Sequence, residues 1–194
     1  TLENTRDDGT SVGDSLQLSA NAGLASSPWY DDSSGGRGYF HWAVATMIAK
    51  PDGDEKPNDG NSNEARFRTR PELRSNSSWI DTGRIAGADW YEILAFENII
   101  NLGAIQITSE YQMNWLQRDA GAGQNLFFHG GYIYIHYMLT GEHIPYDRET
   151  STIDRLKPFE NFFLVDRLCG RNGMRSGWGA WGVGLRLSHL DLTN

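Results

Sequence analysis

Arg66, Arg68 and Arg70 stand at every second position of the run Ala65-Arg66-Phe67-Arg68-Thr69-Arg70-Pro71-Glu72. In an extended chain they project from one side, ~6.6–7 Å apart at a rise of ~3.3–3.4 Å per residue. Guanidiniums that close repel one another unless an anion or a carboxylate lies between them. Their planar forks hold phosphate or carboxylate oxygens bidentately, and rows of such groups make a pore anion-selective. The same run also reads as a solvated edge strand whose charges discourage further pairing, with Pro71 ending it. A second row, Gln106, Thr108, Glu110, Gln112 and Asn114, presents only polar groups, and Tyr132, Tyr134 and His136 form a mixed row.

Other constellations lack the spacing their chemistry needs. The oxygen-rich stretch 52–61 has neither the ligand order nor the closing Glu of an EF-hand. His129, His136, His143 and His189 show no paired-ligand spacing, and the single cysteine, Cys169, builds neither an internal disulfide nor a Cys-rich metal site. Glu142 with Asp147, or Glu92 with Glu97, could be imagined as a glycosidase pair, but no nucleophile–base constellation accompanies them. No catalytic residue, metal site or cofactor is expected.

The elements that must position these rows are strands. A period of two marks eight candidates: 14–24, 38–50, 64–70, 87–97, 104–116, 126–140, 159–168 and 178–192. The clearest is 104–116, where Ile105, Ile107, Tyr111, Met113 and Trp115 alternate with the polar row. Such alternation is incompatible with a helical period of 3.6. Segments 26–37, 51–63, 117–124 and 141–157 read as long polar loops, and 97–101 as a tight turn. Long loops at one end and tight turns at the other are the layout of an outer-membrane barrel. Phe40 and Trp42, Tyr111 and Trp115, and Trp178 and Trp181 fall near strand ends, as interfacial girdles require.

Composition agrees. The 194 residues include 7 Trp, 8 Tyr, 8 Phe, 22 Gly and only 6 Pro, which suits sheets joined by turns. The longest apolar run, 42–49, falls far short of the ~18 residues a membrane helix needs. A mean hydropathy of −0.53 leaves a membrane barrel open, because alternating apolar and polar rows average out. A net charge of −8 speaks against nucleic-acid binding. Neither end reads as a natural terminus, so a processed chain or a fragment is expected.

Several stretches carry a family resemblance: the RFRTRPE run at 66–72, Asp81-Thr82-Gly83, Ser109-Glu110-Tyr111, the LTGEH run at 139–143 with Pro145-Tyr146-Asp147-Arg148, and the GAWGVGLRLSHLDL run at 179–192. In this order they resemble the phosphate-selective porin O and P family of bacterial outer-membrane proteins. The resemblance implies a homotrimer of 16-stranded barrels in outer-membrane lipid, each around a water-filled pore, with this chain a middle-to-late portion.

The expectation is therefore an all-β antiparallel transmembrane β-barrel, with about eight strands in one domain over 1–194. The chain is expected to lack its signal peptide and to be incomplete at its C-terminal end. The function expected is a porin for passive diffusion of small hydrophilic solutes, including anions such as phosphate. Candidate pore-lining or anion-binding residues are Arg66, Arg68, Arg70, Glu110, Gln112 and Arg186. The alternative is a secreted soluble β-sandwich that binds carbohydrate, motivated by the Trp and Tyr content and the Asp-rich loops.

Overall fold

The computed structural model describes residues 18–50, 64–70, 78–163, 165–166, 174–175 and 177–193. Six long strands form one antiparallel sheet: β1 (Ser19–Tyr30), β2 (Gly38–Ala49), β3 (Ala88–Leu102), β4 (Ile105–Arg118), β5 (Leu126–Met138) and β6 (Gly182–Asp191). Each strand pairs with its sequence neighbour, so the sheet is an up-and-down meander. The strands run from 10 to 15 residues, enough for the ~9–11 residues a tilted strand needs to cross a bilayer. Among the described residues β1 and β6 do not pair, and the sheet is open.

Strand register sorts the side chains into two faces. Leu24, Val44, Phe96 and Tyr111 lie in one row across four strands, and Ile133, Ile135, Leu185 and Leu187 continue the same face. It is apolar and open: Val183, Leu185 and Leu187 are 55%, 74% and 72% exposed. Aromatic residues gather towards both of its ends, with Trp29, Phe40 and Trp42 at one and Trp90, Trp115 and Phe127 at the other. The opposite face carries small and polar groups, among them Asn21, Gly23, Ala45, Glu97, Thr108, Glu110, Gln112 and Tyr132. This arrangement inverts that of a water-soluble protein.

The polar face is the one the chain covers. Between β2 and β3 the backbone folds back through two short pairs, Glu64–Ala65 with Ile85–Ala86 and Arg68–Thr69 with Ile80–Asp81. Ala65, Ile85, Ala88, Leu116 and Phe128 make a small core there, and Phe67 packs on Phe128 with ring centroids 5.2 Å apart. Full burial of such a side chain contributes about 1.5–3 kcal/mol, so a few of them anchor the fold-back. From the other end, the hairpin Tyr146–Asp147 with Thr152–Ile153 brings Tyr146 onto Tyr39 and Ile99.

Among the described residues six strands, rather than the eight expected, belong to the sheet. Residues 64–70 do alternate, with Ala65 buried, Phe67 partly so and Arg66, Arg68 and Arg70 exposed. That alternation records an extended segment lying on the sheet, outside its ladder. Among its described residues, the 159–168 candidate makes a bridge from Phe162 to Trp178 and a pair from Val165–Asp166 to Met174–Arg175. Phe163, at φ +64°, interrupts it.

The first strand starts at Ser19 and continues through a register shift between Ser26 and Trp29 to Tyr30, so the first part of the expected 26–37 loop, residues 26–30, is strand. The turn beyond is set by Asp31, whose carboxylate accepts from the backbone N–H of Ser33 and Ser34. Residues 97–101 lie inside β3; the tight turn is at Gly103, φ +62°, where a side chain would be strained. Long connections leave both ends of the sheet: 50–87 from one, and 139–181 from the end that also holds the tight turns. The 51–63 loop and Cys169 lie outside the described residues.

Candidate functional site

The fold-back and the inner face of β4, β5 and β6 line an open cavity of about 890 Å³. Arg66, Arg68 and Arg70 line it from the fold-back, Glu110 and Gln112 from β4, and Arg186 from β6. Strand parity accounts for the sheet side, because Glu110 stands opposite Tyr132 and Tyr132 opposite Ser188 on one face. Gln112 stands opposite Gly130, where a Cβ would come within 2.8 Å of Leu190 Cδ1 and 3.0 Å of the His189 carbonyl. All six residues singled out by sequence thus surround one space.

Their electrostatics are unequal. Arg66 donates from Nε to Asp81 Oδ1 at 2.8 Å and from Nη2 to Asp81 Oδ2 at 2.5 Å, a bidentate clasp. That guanidinium, helped by the Gly83 N–H, holds the Asp81 carboxyl down at about 2. Arg66 therefore ties the fold-back together across the Asp81-Thr82-Gly83 turn, and Thr82 completes the tie by donating to the Phe67 carbonyl. Arg186 lies over the Tyr132 ring at 4.1 Å and donates to Ser188 Oγ at 3.0 Å. Arg68 and Arg70 extend from the same exposed side of the fold-back.

A second polar group of the inner face escapes the sequence reading. His41, 1% exposed, meets Tyr146 Oη at 2.7 Å through Nδ1 and Glu97 Oε1 at 2.8 Å through Nε2. Beside it, Gln106 donates to Tyr39 Oη, which donates to the Ile144 carbonyl. The signal was available: His41 alternates with Phe40 and Trp42, so it belongs to the wet face. Arg37 reinforces this end by donating to the Gly141 carbonyl at 2.9 Å.

The carboxylates considered as acid–base pairs are not brought together. Glu92 lies on the outer face and Glu97 on the inner, five positions apart on one strand. Glu142, 2% exposed, accepts from Thr140 Oγ1 and from the Phe159 N–H. Burial pushes its pKa up, but these hydrogen bonds outweigh it and hold the carboxyl below its usual range. Asp147 is taken up by the Glu149 N–H and the Thr150 hydroxyl. Among the described residues no three His, Cys, Asp or Glu side chains are placed to hold a metal ion.

A meander with a lipid-compatible outer face, a polar inner face and a charged segment folded against that inner face defines the porin class of transmembrane β-strand protein. Comparison with curated proteins finds no match. The model of the family Phosphate-selective porin O and P matches residues 13–194, and the chain belongs to that family. Membership implies a bacterial outer-membrane protein and favours a channel over the carbohydrate-binding sandwich.

Proposed function

We propose that this chain forms part of the wall of a passive outer-membrane channel for small hydrophilic solutes, with a preference for anions such as phosphate. The observation that carries the reading is the two-faced sheet, apolar where it is open and polar where the chain folds over it. Additional strands close the barrel to the sixteen the family resemblance implies, and three barrels associate. Solutes pass along the inner face without bond chemistry.

Arg68, Arg70 and Arg186 supply the positive potential of the cavity, with Arg66 engaged by Asp81. The preference is local, since the whole chain is acidic at −8. Planar-bilayer recording of the intact protein tests this. Stepwise conductance is expected, with a reversal potential on the anion side that moves towards cations in the Arg68→Ala/Arg70→Ala double variant. Absence of conductance steps overturns the channel. An unmoved reversal potential overturns the role of the arginines.

A further inference from the structure

The inner face carries a feature that small inorganic anions do not need. Tyr132, Tyr134 and His136 stand in line on β5, ~6.6–7 Å apart in an extended strand. The Tyr134 and His136 rings have centroids 5.8 Å apart and planes within 15° of parallel. β6 makes room for both: a Cβ at Gly184 would stand 2.4 Å from Tyr134 Oη, and one at Gly182 2.4 Å from His136 Nε2. The rings thus rest where side chains of β6 would otherwise be, and they stay partly exposed on the polar side. Thr108 and Glu110 on β4 stand directly opposite Tyr134 and Tyr132. Arg186, stacked on Tyr132, ends the strip at the arginine cavity.

Two aligned ring faces at Tyr134 and His136, beside carboxylate, hydroxyl and guanidinium groups, suit a sugar. A pyranose has C–H faces that pack on aromatic rings and a rim of hydroxyls that both donate and accept. Phosphate has no apolar face to place on the strip. We propose that the β5 strip is a binding track for linear saccharides, on which successive sugar rings stack along Tyr134 and His136 while Arg186, over Tyr132, meets their hydroxyls. This rests on the reading of the inner face as a pore lining and adds a class of permeant to it.

Glucose and maltotriose are the probes, applied to the intact protein in planar bilayers in KCl. Maltotriose should interrupt the current, with dwell times several-fold longer than those of glucose. Tyr134→Ala should conduct KCl and shorten the maltotriose dwell by at least about fivefold. Gly184→Val, which fills the seat of the Tyr134 ring, should do the same, and Tyr134→Phe should retain most of the dwell. Conducting channels that maltotriose does not interrupt, or whose interruption neither Tyr134→Ala nor Gly184→Val alters, overturn the track. Calorimetric titration of detergent-solubilised protein separates the two readings: maltotriose binding that Tyr134→Ala abolishes, in a protein without conductance, upholds the track and overturns the pore.

Discussion

At the scale of single residues, two interactions decide how the inner face is furnished. Arg66 would read as one more free cation from its spacing alone; its clasp on Asp81 makes it a tie within the fold-back. The Asp81 pKa is depressed when folded, so the tie is fully present above the ordinary value of 3.8 and is lost as pH falls through about 2. Carbon-13 NMR of the Asp81 carboxyl should give a midpoint near 2; a midpoint near 3.8 contradicts the clasp. His41 tells the same story at the other end of the sheet. Replacing it with Ala leaves Tyr146 Oη and Glu97 without their imidazole partner. A loss of about 1–3 kcal/mol is expected, read as a lower denaturation midpoint in detergent. An unchanged midpoint contradicts a structural role for the His41 network.

At the scale of elements, the outer row of β6 makes the sharpest claim. Leu187 lies in the middle of that strand on the apolar face, and Ser188 points to the polar face. Leu187→Arg should cost about 2–4 kcal/mol of stability in a bilayer, whereas Ser188→Arg should cost little. Equal costs, measured by denaturant titration in liposomes, would contradict the assignment of faces. The period-two pattern in the sequence carried most of this information. In β2, β4 and β5 the alternation alone places each side chain on its face, because successive side chains of a strand point to opposite faces and the apolar set fixes which face is which. The boundaries were less legible. Asn98 and Asn101 look like turn residues, yet they lie in β3, where Asn101 donates to the Arg37 and Gly103 carbonyls. Residues 64–70 alternate as a strand does, but whether such a segment pairs into a sheet or folds across one depends on partners distant in sequence. Asp81, which engages Arg66, lies fifteen residues away.

At the scale of the molecule, the inversion of faces is the main fact, and an average hydropathy conceals it. β1 and β6 each present an unpaired edge among the described residues. In hydrocarbon a backbone N–H or C=O without a partner in the protein is costly, which is why the proposed channel calls for both edges to be paired. The candidate site follows from the same geometry: six residues drawn from three separate stretches reach one cavity because the fold-back lies across β4, β5 and β6. The central claim is that this inner face meets water and the outer face meets lipid, and neighbouring positions on β4 separate the two. In a Cys169→Ser background, single cysteines at Gln112, on the inner face, and at Met113, on the outer, are treated with a membrane-impermeant sulfonate thiol reagent during bilayer recording. Stepwise loss of current at Gln112→Cys, with Met113→Cys unaffected, is the predicted result; reaction at Met113→Cys with Gln112→Cys inert would contradict the account.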